Sequence, residues 1–254
     1  MPGTLIRQAG DGGYEAAEPG ITIRDLGVTD ATGGDYTLLL VRIEPEGARV
    51  EELHRHDEGF SLAYVLSGWL KVEFAEIGVQ TLPVGTVIPA FNGPTHRELD
   101  AGDGLELLLL VTANDMIGND NEKIVLRFED ETPYQDDVAT GFRCRDFDLA
   151  ELTGGRLTAR ALRPIPGVEA DHQWHQHDYD AQFLYVAEGW FDVEYADSGI
   201  VRLEPGAMVL QRPGVPHIVR GHSDDLLLIE MTLPATFETE IVAAPAEHAD
   251  SIAG

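Results

Sequence analysis

The chain is written twice. His54 and His175 stand 121 residues apart (175 − 54), and the same offset carries Gly20 onto Gly141, Arg24-Asp25 onto Arg145-Asp146 and Pro45 onto Pro166. It continues without a gap through YVLSGW (64–69) against YVAEGW (185–190), Gly78 against Gly199, Gly85 against Gly206, and Gly93 and His96 against Gly214 and His217. A period this long and this regular means two copies of one domain, each of a size that buries its own core. The expected division is 1–130 and 131–254.

Each copy alternates short apolar, β-branched or aromatic runs with Gly and Pro turns, and helical periodicity is nearly absent. The predicted class is therefore all-β, two tandem sandwiches or barrels, because an alternating strand needs a second layer over its apolar face. LAYVLSGWLKVEF (62–74) and FLYVAEGWFDVEY (183–195) each read as two strands paired antiparallel around a Gly. Residues 113–140 have no counterpart in the repeat and read as a connection in which KIVLRF (123–128) is a strand, while APAEHADSIAG (244–254) reads as a frayed tail.

Acidic residues number 45 against 17 basic ones, a formal net charge of −28, so nucleic acid and anionic membrane surfaces are not expected partners. A single cysteine, Cys144, excludes an intrachain disulfide and thiolate metal clusters. The start MPGTLIRQAGDGG lacks the pattern of a secretory signal, and no apolar run approaches the ~20 residues of a membrane span, which leads us to expect a cytoplasmic protein.

Two histidines one residue apart on a strand point to the same face, so His54 with His56, and His175 with His177, can each hold one ion between them. His96 and His217, each just after a Gly turn, are placed to arrive from a neighbouring strand. Imidazole suits Zn, Cu, Fe and Ni. The other histidines fit no such trio: His172 maps to Glu51, His222 to Ala101, and His248 lies in the tail, with His172 near enough to sit at a pocket rim.

These motifs resemble those of the cupin superfamily: HRHDEGFSLAYVLSG and HQHDYDAQFLYVAEG resemble its first motif, GTVIPAFNGPTH and GAMVLQRPGVPH its second, so the chain resembles a bicupin over most of both halves. The resemblance implies a double-stranded β-helix (jelly-roll) barrel in each half. It also implies a divalent transition metal, Fe, Ni, Zn or Mn, one or two per chain, held by His54, His56 and His96 and by His175, His177 and His217. The family's fourth ligand, a Glu, is replaced by Gln182 in the second copy and Ser61 in the first. A neutral Gln182 leaves the site's net charge nearer that of the bare ion, which strengthens it as a Lewis acid; Ser61 is short and leaves room for a water.

A Gln here resembles cupins that ring-open unsaturated uronates and the bicupin isomerase of bacilysin biosynthesis. That likeness implies non-redox isomerase or lyase chemistry on a small oxygenated metabolite such as an oxo acid or sugar acid. Three-histidine sites also resemble Fe(II) dioxygenases, and a non-catalytic small-molecule-binding cupin is a third possibility. Homodimers formed by sheet-edge pairing are a further implication of the resemblance.

Arg42 and Arg163 lie on the strands before the histidine pairs and are candidates to grip a substrate carboxylate, or to pair with Glu73 and Glu194. Glu98 shares parity with His96 and is a candidate acid or base, with Val219 in its place in the second copy. Asp57 and Asp178 face away from the histidine pairs and suit turn-stabilising or supporting roles.

Overall fold

The computed structural model describes residues 3–55, 59–91, 93–113, 117, 124–168 and 172–245. The chain divides into two compact units, residues 10–133 and residues 134–254 together with 1–9.

In the first unit a six-stranded antiparallel sheet runs in the order Glu15–Glu18, Ile21–Asp25, Tyr36–Ile43, Leu105–Thr112, Phe60–Ser67, Val87–Phe91. A three-stranded sheet of Gly78–Pro83, Trp69–Phe74 and His96–Ala101 completes it. Val41, Val65 and Leu107 from the larger sheet meet Leu70, Val72 and Phe74 from the smaller in one buried core. The alternation of apolar residues is what forces this two-layer closure.

The second unit repeats the plan. Its larger sheet contains Phe142–Asp146, Thr158–Pro164, Leu227–Leu233, Ala181–Glu188 and Met208–Gln211 in the same neighbour order, with Gln135–Asp137 at one edge and Leu5–Arg7 at the other. Leu5–Arg7 adds antiparallel to Met208–Leu210, covering an edge that would otherwise present unpaired backbone groups. The facing sheet holds Gly199–Leu203, Phe191–Tyr195, His217–His222, His175–His177 and Thr239–Ile241.

The two expected hairpins are not hairpins. Phe60–Ser67 pairs with Leu105–Thr112 and Val87–Phe91, whereas Trp69–Phe74 pairs in the facing sheet with Gly78–Pro83 and His96–Ala101. Gly68 is the corner between the sheets: its φ is 70°, and a Cβ there would lie 2.7 Å from the Cα of Leu105. Gly189, also at φ 70°, makes the same corner in the second unit.

The expected strand at KIVLRF shrinks to a single bridge. Arg127 exchanges both backbone hydrogen bonds with Val87 at 3.0 Å, while Ile124, Leu126 and Phe128 pack on the core without a paired neighbour; Lys123 lies outside the described residues. No helix of the described residues is long and apolar enough to cross a membrane.

Candidate metal centre

In the second unit His175 and His217 are direct partners across two antiparallel strands, and His177 follows two residues on. Ring centroids lie 4.3 Å (His175 to His217), 4.9 Å (His175 to His177) and 5.2 Å (His177 to His217) apart. One ring nitrogen from each histidine falls within 4.8 Å of the others.

The opposite nitrogens are occupied. Nδ1 of His175 meets the Gln173 carbonyl at 2.7 Å, Nδ1 of His217 the Val215 carbonyl at 3.0 Å, and Nδ1 of His177 the Thr239 hydroxyl at 2.9 Å. A carbonyl only accepts, so the proton of His175 and of His217 sits on Nδ1 and the Nε2 lone pair is left for an ion. Burial, reinforced by the neighbouring His175, pulls the His217 imidazole down to about 3, and burial first, then His175 and Arg160, pulls His177 down to about 4. Both are therefore neutral at pH 7, the protonation state that metal ligation requires.

The trio opens into a cavity of about 510 Å³. Gln182, only 4% exposed, lines it and donates from Nε2 to Glu230 Oε1 at 2.6 Å. Glu230 in turn pairs with Arg160 from the adjacent strand, and this carboxylate holds the guanidinium firmly protonated. The amide nitrogen of Gln211 packs over the His217 ring, 2.8 Å from Nδ1 and 3.0 Å from Nε2. A carboxylate at 182 would face Glu230 at hydrogen-bond distance, so the amide has a local physical reason.

The first unit builds a different centre. His54 and His96 exchange backbone hydrogen bonds of 2.8 and 3.0 Å, with ring centroids 4.6 Å apart. Glu98 Oε1 lies 3.4 Å from His96 Nε2, and Oε2 lies 3.7 Å from His54 Nε2. Oε2 is buried and has no hydrogen-bond partner, an orphaned acceptor beside the His54 Nε2, as a cation between them would explain. His54, His96 and Glu98 form the second of the two groups among the described residues able to hold a metal. His56 and Asp57 lie outside the described residues.

Burial, the largest single influence, would raise Glu98 and lower His96; the hydrogen bond and charge attraction between them, with backbone hydrogen bonds and, for Glu98, the nearby His54, together outweigh it, leaving Glu98 below and His96 above their ordinary ranges. Ser61 lines a mostly apolar cavity of about 230 Å³ together with His96 and Glu98.

Arg42 and Arg163 do not line these cavities. On Thr158–Pro164 the cavity-facing positions are Arg160 and Leu162, so Arg163 has the opposite parity and pairs with Glu188 at 2.9 Å. Arg42 likewise alternates with Val41 and Ile43, pairs with Glu106 at 2.9 Å and lies over the Tyr14 ring. Glu73 and Glu194 take Arg97 and Arg220 instead. Asp178 caps a turn by accepting from the Glu238 backbone N–H at 2.6 Å, and His172 lines the larger cavity.

Arg160 and Glu230 are the polar residues that the sequence reading passed over. A signal existed: by the 121-residue offset they map to Leu39 and Leu109. Charges in one copy at positions where the other keeps leucine mark a pocket built for polar chemistry.

Residues 165–231 match the cupin domain family. No curated protein sequence matches the chain. Among solved structures, the Lactobacillus farciminis oxalate decarboxylase in a formate complex aligns at 14% identity with a TM-score of 0.67, over 94% of this chain and 88% of its own. A mutant Bacillus subtilis oxalate decarboxylase aligns at 13% identity with a TM-score of 0.68, over 100% of this chain and 85% of its own. A structure of the same Bacillus enzyme, solved in work on its Mn(II) centres, aligns at 14% identity with a TM-score of 0.66, over 100% and 85%.

Proposed function

We propose that this protein, a bicupin by fold, is a metal-dependent enzyme whose working centre is His175, His177 and His217 in the second unit. Its reaction is non-redox isomerase or lyase chemistry on a small oxygenated metabolite. The observation that carries this is the convergence of three imidazoles, two with Nδ1 committed to backbone carbonyls, on a cavity that also holds the Glu230–Arg160 pair. A divalent ion such as Mn, Fe, Ni or Zn held there would polarise a carbonyl, enolate or carboxylate oxygen.

The chain's own residues set the rest. Gln182 uses its amide N–H on Glu230, which directs its carboxamide oxygen away from that carboxylate and makes it the atom offered to an ion. Glu230, paired with Arg160, lines the cavity as the carboxylate placed to accept a proton from the substrate and return it. The apolar walls, Leu162, Leu184 and Val193 among them, exclude water from that transfer.

The test is proton exchange. The metal-loaded protein in D2O should remove the C3 proton signals of 2-oxobutanoate from the 1H NMR spectrum faster than buffer does, and a chelator or His217→Ala should abolish the effect. Exchange at the buffer rate, or exchange indifferent to both, would contradict the proposal. A second reading, Fe(II) oxygenase chemistry, draws on the first unit, where His54, His96 and Glu98 form a two-histidine, one-carboxylate set; Fe(II)-dependent oxygen uptake lost in Glu98→Gln would favour it.

A further inference from the structure

The larger cavity changes character along its length, and four strands change together. Arg160 gives way to Leu162, Gln182 to Leu184, Glu230 to Leu228 and His217 to Val219, each two residues along its strand and each lining the cavity. Arg160 lies opposite Glu230 and Leu162 opposite Leu228, Gln182 lies opposite Gln211, and Leu184 lies opposite Glu230, so the apolar wall begins one step earlier on that strand and Gln182 reaches Glu230 diagonally. On the facing sheet Val219 lies opposite Val193, and Phe191 and Phe142 extend the apolar end. Leu184, Leu228, Phe191, Val193 and Phe142 belong to one buried apolar cluster, so the apolar end runs into the core.

The first unit lacks this polarity. The positions equivalent to Arg160, Gln182, Gln211 and Glu230 are Leu39, Ser61, Ala90 and Leu109, and its cavity is about 230 Å³ against about 510 Å³.

We propose that the second site takes an amphipathic acid: an oxygen-rich head, of the kind a 2-oxo acid carries, at the histidine level, and an apolar body of several carbons between Leu162, Leu184, Val193 and Val219. A dicarboxylate as small as oxalate has no hydrocarbon to place there and would leave apolar walls against water. This inference rests on the metal-centre reading above for the position of the head; the body depends only on the cavity.

The experiment is calorimetric titration of the full chain loaded with Zn(II), using oxalate, pyruvate, 2-oxobutanoate, 2-oxohexanoate and 2-oxooctanoate. Each methylene moved from water into the apolar end should tighten binding about fourfold, on the order of 1,000-fold over the five methylenes between pyruvate and 2-oxooctanoate if the cavity takes them all. Val219→Phe should flatten that dependence, and Leu162→Phe serves the same purpose if the first variant folds poorly. Oxalate or pyruvate binding as tightly as 2-oxooctanoate, or an unaltered chain-length slope in a folded variant, would overturn the inference. Repeating the series on zinc-free protein separates the two claims. If the slope persists while zinc makes no difference to pyruvate, the metal reading fails; if zinc strengthens pyruvate while the slope is flat, the amphipathic reading fails.

Discussion

Replacing Gln182 by alanine tests a bond that the second copy has and the first lacks. Gln182 is 4% exposed and its Nε2 donates to Glu230 Oε1 at 2.6 Å, so the substitution leaves a carboxylate oxygen, itself on a residue only 6% exposed, short of a donor. Hydrogen bonds to charged groups contribute about 1.5–3 kcal/mol net, and because the site adjoins a cavity that admits water, the lower half of that range applies, about 2 kcal/mol. For a unit of this size that is a fall in Tm of roughly 5–8 °C.

The assay is differential scanning calorimetry of metal-stripped protein, with Ser61→Ala as the matched control. Ser61 faces a largely apolar cavity with no equivalent of Glu230, since Leu109 stands there, and its loss should shift Tm by no more than about 1 °C. A double-mutant cycle with Glu230→Gln should return a coupling of at least about 1 kcal/mol. Gln182→Glu, which restores the carboxylate that the cupin resemblance led us to expect, should destabilise the fold, because two carboxyls at this distance cannot both ionise. Equal effects of Gln182→Ala and Ser61→Ala, or additivity with Glu230→Gln, would refute the reasoning.

Three further outcomes are expected. Metal-free protein should lose stability as pH falls below about 6.5, because an unfolded imidazole takes up a proton there while His217, held down to about 3 by burial, does not. By pH 5 the loss from His217 is on the order of 1–2 kcal/mol and His177 adds in the same direction; thermal melts with a saturating metal should fall at least as steeply over that window, because the bound ion keeps the folded imidazoles neutral while the unfolded ones still take up protons. Glu98→Gln should weaken Mn(II) binding at the first unit by at least about tenfold, as read by titration in the His217→Ala background, without moving the second, as read in the parent chain. Gly68→Ala should cost about 1–3 kcal/mol in chemical denaturation, since φ is 70° and the new Cβ would meet the Leu105 backbone.

Much of the architecture was legible because the chain repeats and because histidines two apart on a strand must share a face. The same periodicity misplaced other features. Two apolar runs around a Gly look alike whether the strands pair with each other or turn into facing sheets, and only the long-range register of Leu105–Thr112 against Phe60–Ser67 decides it. Parity relative to the core separates Arg160 from Arg163, and that phase depends on Leu228 and Glu230, some seventy residues away (230 − 160). The carboxylate of the first site was legible as a pocket residue, not as a metal ligand, because its pairing with His54 arises across a bridge between segments far apart in the chain.

The central claim, a divalent metal held by the second unit, is tested most directly by elemental analysis of the full chain purified without added metal, wild type beside His217→Ala. The wild type should carry Mn, Fe, Ni or Zn, and the variant should carry about one ion per chain fewer while keeping its fold by circular dichroism. Equal metal content in the two proteins, or a wild type that neither carries these metals nor takes them up on titration, would contradict it.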